Sequence, residues 1–145
     1  MAAFALNLRV SWGDADPAGI LYTPRAFDYC TEALERWYAE VLGVDWVTMN
    51  RRLNLGSPMV HAACDYLRPM APGLELAVRV LIERLGQSSI TFRIEGFDRD
   101  GAAYFKAKYV TCITDFAAAK AVSIPPDLRQ RAEAYVRDCD AFDTP

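Results

Sequence analysis

The sequence predicts one α+β domain, residues 1–145, in which a curved antiparallel sheet of five or so strands wraps around one long helix. Three observations carry that expectation. Phe27, Cys30, Leu34, Trp37 and Val41 recur at spacings of three and four, which is one face of an amphipathic helix. From Ser57 to about Phe116 the apolar period changes to two, with turn residues between the runs. A chain of 145 residues has the size of one domain around one core.

Each element follows from local chemistry. Leu6, Leu8 and Val10 alternate with polar neighbours and read as a half-buried strand. Ser11 to Pro24 is an acidic turn rich in Gly and Pro. Thr23 is placed to cap the helix that follows, with Pro24 at its first position. The helix runs from about Pro24 to Leu42, with Glu32 and Arg36 paired on its solvated side, and Gly43 supplies the left-handed C-terminal residue. Trp46, Val47 and Met49 suggest a short helical turn that ends at Arg51-Arg52. Met59–Tyr66 alternates as a strand and is broken by Pro69-Met70-Ala71-Pro72-Gly73. Leu76–Glu83 and Ile90–Glu95 alternate on either side of a Gly86-Gln87 turn. Asp98-Arg99-Asp100-Gly101 is a hairpin signal, and Tyr104–Phe116 reads as one long strand. Pro125-Pro126-Asp127 opens a terminal helix carrying Leu128, Ala132, Tyr135 and Val136. Consecutive hairpins after one helix predict a meander. Its open edges predict association into a dimer or more.

Composition narrows the functional classes. The chain is 52% hydrophobic and 24% charged, with a net charge of −3, so it carries no electrostatic footprint for nucleic acid. No segment approaches the roughly 20 apolar residues of a membrane span. Met1 to Val10 does not read as a secretory leader, and the expected location is the cytoplasm. The four cysteines, Cys30, Cys64, Cys112 and Cys139, are scattered, which favours packed thiols over a metal site or disulfide framework.

Few catalytic devices can be assembled. His61 is the lone histidine, lies in a predicted strand and has no G-x-S-x-G motif near it. A histidine with a local strand partner is its plain reading. No phosphate-binding glycine loop occurs, and Asp14-x-Asp16 lacks the further ligands of a calcium loop. What remains is the acidic turn itself. Asp14 and Asp16 beside Pro and Gly can simply shape a turn. A carboxylate near a helix N-terminus can also attack a carbonyl, or activate water, while backbone N–H groups polarise that carbonyl.

The stretch Trp12-Gly13-Asp14-Ala15-Asp16-Pro17-Ala18-Gly19-Ile20, with Tyr22 and Pro24 after it, resembles the signature of hotdog-fold acyl-CoA thioesterases, with the 4-hydroxybenzoyl-CoA branch the nearest in pattern. The likeness continues through Gly56-Ser57-Pro58-Met59-Val60 and Leu85-Gly86-Gln87-Ser88-Ser89. The resemblance implies a hotdog fold, hydrolysis of an aromatic acyl-CoA and no cofactor, coenzyme A being part of the substrate. It implies that Asp16 is the nucleophile or general base and that the Thr23 N–H polarises the thioester. It implies substrate contacts from Gly19, Tyr22, Ser57, Met59, His61 and Ser88. It also implies a homodimer or homotetramer with the site between subunits. CoA phosphates would lie on basic residues such as Arg84, Arg93, Arg99 or Lys106. Two departures stand out. Thr31 occupies the place of an acidic residue near the substrate ring in the hydroxybenzoyl branch, and Gly86-Gln87 lacks that branch's clustered arginines. A short-chain aliphatic thioesterase and a non-catalytic acyl-CoA-binding module are the alternative expectations.

Overall fold

The computed structural model describes residues 3–143; Met1, Ala2, Thr144 and Pro145, the outer ends of the single-domain expectation, lie outside the described residues. The elements are β1 (Ala5–Arg9), α1 (Arg25–Trp37) continued by a π-turn (Tyr38–Leu42), α2 (Trp46–Arg52), β2 (Leu55–Gly56), β3 (Met59–Tyr66), β4 (Glu75–Leu85), β5 (Ser89–Phe97), β6 (Ala103–Cys112), β7 (Thr114–Asp115), β8 (Lys120–Ala121) and α3 (Pro126–Asp143). Five strands form an antiparallel sheet in the order β1-β4-β5-β6-β3, and β2-β7-β8 make a small second sheet.

The sheet wraps α1 because one face of each central strand is apolar. Leu76, Val78 and Val80 of β4, Ile90, Phe92 and Ile94 of β5, and Phe105, Ala107 and Tyr109 of β6 are buried against Cys30, Ala33, Leu34 and Trp37 of α1 in one core. Trp37 sits at its aromatic centre, edge-on to Phe92 at 5.0 Å, Tyr38 at 5.4 Å and Tyr135 of α3 at 5.5 Å between ring centroids. Leu128, Ala132, Tyr135 and Cys139 bury one stripe of α3.

Four local expectations change. The meander holds only for β4-β5-β6. The Pro-rich segment after β3 is no hairpin: it carries the chain to Val10, whose N–H donates to the Leu74 carbonyl at 2.8 Å, so β4 joins β1. β3 is left to pair with β6 at the opposite edge. The helix begins one residue later than capping chemistry suggests. Pro24 takes the cap position in place of Thr23, with its backbone already turned toward α (φ −64°, ψ −19°), Arg25 is the first helical residue, and no Thr23 side-chain cap forms. Arg36 pairs with Glu40 rather than Glu32, because Nε and Nη2 both reach one Glu40 oxygen, at 3.0 and 2.6 Å. The long final strand stops at Cys112. Ile113 turns into the core and donates its N–H to the Ser88 carbonyl at 2.7 Å, after which Thr114–Asp115 pairs with Leu55–Gly56. Gly43 does adopt the left-handed conformation (φ 76°) that ends the helical run.

Candidate active site

The acidic turn folds into a compact loop because its backbone groups satisfy one another. Asp16 N–H donates to the Ile20 carbonyl at 3.0 Å and Tyr22 N–H to the Asp14 carbonyl at 2.8 Å, a two-strand bridge with Ala15 opposite Leu21. At the tip, Gly19 N–H donates to the Asp16 carbonyl at 2.9 Å, closing a turn with Pro17 at its second position. Gly19 takes φ 79° there, which a residue with a Cβ rarely adopts. Leu21 N–H donates to the Met70 carbonyl at 2.7 Å and ties this loop to the segment after β3.

The two carboxylates have different surroundings. Asp14 Oδ2 accepts from the Tyr29 hydroxyl of α1 at 2.6 Å and from the Ser11 N–H at 3.2 Å, and Oδ1 lies 4.0 Å from Arg25 Nε. Burial first, and the bond to Asp14 next, push the Tyr29 hydroxyl well above its ordinary value, so it stays a donor. Asp16 is tied only through Oδ1, which accepts from the Ala18 N–H at 2.8 Å. Its other oxygen has no protein partner among the described residues.

Thr23 lies at the other end of the loop, exposed, where α1 begins. Arg25 N–H donates to the Tyr22 carbonyl at 2.8 Å, so a tight turn brackets Thr23 and Pro24. The Thr23 N–H meets no protein acceptor among the described residues, whereas its carbonyl accepts from the Tyr66 hydroxyl of β3 at 2.5 Å. An unpartnered N–H at the positive end of a helix is suited to hold a developing oxyanion.

The remaining predicted residues divide among three places. Thr23 lines a cleft of about 320 Å³ with Ile20, Leu21, Tyr66, Arg68 and Met70, and Gly19 and Tyr22 adjoin it in the loop. Ser57 and Met59 line a second cavity of about 500 Å³, mostly apolar, whose walls include Thr31, Trp46, Asn50 and Phe116. The Ser57 hydroxyl is engaged within the fold, 2.6 Å from Tyr38 Oη, which lies 3.2 Å from Thr111 Oγ1. His61 is exposed on the β3 edge, and Ser88 lies in the β4–β5 turn, in neither cavity. Among the phosphate candidates, Arg93 and Lys106 flank the buried Glu95 at 3.0 and 3.8 Å and Arg99 pairs with Glu75 at 2.7 Å. Arg84 has no ion pair among the described residues.

Sequence reasoning missed Tyr29, Tyr66, Trp46, Asn50 and Phe116. Tyr29 carries a weak signal, being placed on the turn side of α1 near its start. Tyr66 carries none, since its partner lies 43 residues away.

The Thioesterase-like superfamily model matches residues 10–132. A 1,4-dihydroxy-2-naphthoyl-CoA hydrolase from Picosynechococcus is 30% identical over 131 residues, covering 89% of this chain and 84% of that protein. One from Crocosphaera subtropica is 27% identical over 125 residues, covering 86% and 85%. The solved structure of a thioesterase superfamily protein from Jannaschia superposes with a TM-score of 0.84 at 33% identity, covering 91% of this chain and 92% of that one. With its five-stranded sheet around α1 and its acidic loop at the helix start, the chain belongs to the thioesterase-like, hotdog-fold superfamily.

Proposed function

We propose that the protein hydrolyses an aromatic acyl-CoA thioester to the free acid and coenzyme A. The observation that carries this reading is the pairing, in one loop, of a carboxylate oxygen on Asp16 and an N–H on Thr23, neither with a protein partner among the described residues. In the proposed step the thioester oxygen accepts from Thr23 N–H, and the α1 dipole stabilises the charge that develops. The free Asp16 oxygen attacks the carbonyl carbon, the C–S bond breaks, and CoA leaves as thiolate. Water then cleaves the mixed anhydride, or Asp16 instead deprotonates water for direct attack. A thiolate leaves without a general acid, which is consistent with a loop that contains no histidine.

The aromatic acyl class is supported by relatives named as hydrolases of a naphthoyl-CoA and by the cavity of about 500 Å³, whose lining residues include no charged side chain. The two cavities lie at opposite ends of β3, the cleft at Tyr66–Arg68 and the apolar cavity at Ser57–Met59. β3 is an edge strand with Val60 and Tyr66 exposed. Antiparallel pairing of two β3 edges about a twofold axis would set the cleft of one copy beside the apolar cavity of the other. A homodimer with a shared site follows, with Ser57 and Met59 shaping the acyl pocket and Arg84, the one of the four phosphate candidates without an ion pair among the described residues, as a cation for CoA phosphates.

The test is CoA release, followed with a thiol reagent, from benzoyl, hydroxybenzoyl, dihydroxynaphthoyl and short aliphatic CoA esters. The wild-type chain should release CoA from aromatic esters, and Asp16→Asn should lower kcat by roughly 10²–10⁴-fold. Wild-type rates in that variant would remove Asp16 from the chemistry. Tight binding of every ester without release would make the chain a binding module.

A further inference from the structure

We propose that Tyr66 is a positioning residue that holds the carbonyl-polarising amide of Thr23 in place from the β3 edge. This inference rests on the thioesterase reading of the acidic loop.

The reason lies in how the start of α1 is bonded. Phe27 N–H and Asp28 N–H both donate to the Pro24 carbonyl, at 3.1 and 3.4 Å, so the helix ladder begins at Pro24. The Thr23 carbonyl is left outside that ladder. The peptide between Thr23 and Pro24 has no N–H, because proline lacks one. On its N-terminal side, Tyr22 is held at both of its backbone groups, by the Asp14 carbonyl and the Arg25 N–H. The Thr23 N–H, in the peptide plane that Arg25 fixes through the Tyr22 carbonyl, has no protein acceptor among the described residues, and the Thr23 carbonyl, in the next plane, is left for something else to hold. The Tyr66 hydroxyl holds it, at 2.5 Å, across the sequence from the edge of the sheet.

Tyr66 is suited to that task. Its ring lines the same cleft as Thr23, and burial together with the neighbouring Cys64 and Cys30 raises its hydroxyl above the ordinary value, so it remains a donor near neutral pH. It is also the last residue of the strand whose edge is unpaired in the monomer. Anything that orders this edge orders the residue holding Thr23. The polarising amide and the association surface are thus joined through one side chain, as preorganised donors require.

Tyr66→Phe tests this while keeping the ring. The residue is 43% exposed, so the fold should persist. With an aromatic ester that the wild type hydrolyses, kcat should fall about tenfold and KM stay within about twofold, the signature of an interaction tightened only in the transition state. Independently of turnover, the Thr23 amide in 15N relaxation measurements should show a lower order parameter, with the α1 interior unchanged. An unchanged Thr23 order parameter overturns the inference, whatever the rates. A loosened amide with wild-type kcat overturns it as well. If the wild type releases CoA from no ester, the thioesterase reading fails, and the amide measurement still decides whether Tyr66 holds Thr23.

Discussion

The Tyr29 hydroxyl donates to Asp14 Oδ2 at 2.6 Å, and this one bond separates the two carboxylates of the acidic loop. Asp14 faces α1 and is held by it, while Asp16, two residues further, is turned to the loop tip with one oxygen that has no protein partner among the described residues. The bond is charge-assisted and partly buried, so its removal leaves an acceptor short of one donor.

Tyr29→Phe should destabilise the fold by about 1.5–3 kcal/mol, the usual range for a hydrogen bond to a charged partner. In a chain of this length that corresponds to a fall in Tm of about 5–10 °C, read by circular dichroism. An unaltered Tm would mean that Arg25 and Ser11 suffice to hold Asp14.

Glu95 is 4% exposed on β5 and lies among three cations, Arg93 Nε at 3.0 Å, Arg79 Nη2 at 3.4 Å and Lys106 Nζ at 3.8 Å. Across the sheet, Arg79 faces Glu95 and Glu95 faces Lys106, while Arg93 directly faces Lys108. Without the Glu95 charge these cations repel one another. Glu95→Ala should cost about 2–3 kcal/mol in urea denaturation, below the ~3–5 kcal/mol of a fully buried pair because all three partners are partly exposed. The loss should shrink in high salt, as repulsion among half-exposed cations is screened. A salt-independent loss would point to packing rather than charge.

Gly96 of β5 stands directly opposite Phe105 of β6, whose fully buried ring lies across it. A Cβ at this position would come within 2.8 Å of Phe105 Cζ and 2.9 Å of Cδ1. Gly96→Ala should therefore destabilise by about 1–3 kcal/mol through overpacking, despite the usual gain from replacing a strand glycine. Pairing it with Phe105→Leu should recover part of the loss, and a double variant showing only the sum of the two single effects would rule out this contact as the cause.

The expected curved antiparallel sheet around one helix could be read from residues whose effects are local. Period-two runs, the Gly43 terminus and the Asp98–Gly101 hairpin depend on near neighbours, and each appears where its chemistry places it, except that the run to Phe116 stops as a strand at Cys112. The loop with Asp16 was legible for the same reason, since its Pro and Gly positions define a turn within a few residues. Strand order was not, because alternation says which face is buried and not which edge pairs with which. The link from Val10 to Leu74, spanning 64 residues, decided that β4 joins β1. Thr23 shows the same division. Its place before a proline and an amphipathic run marked a helix start from sequence alone. No capping hydroxyl bond forms there, because the helix ladder starts at Pro24, and Tyr66 arrives from a distant strand to take the carbonyl. Local sequence sets conformational preference, whereas the satisfaction of a particular backbone group depends on what the folded chain brings beside it.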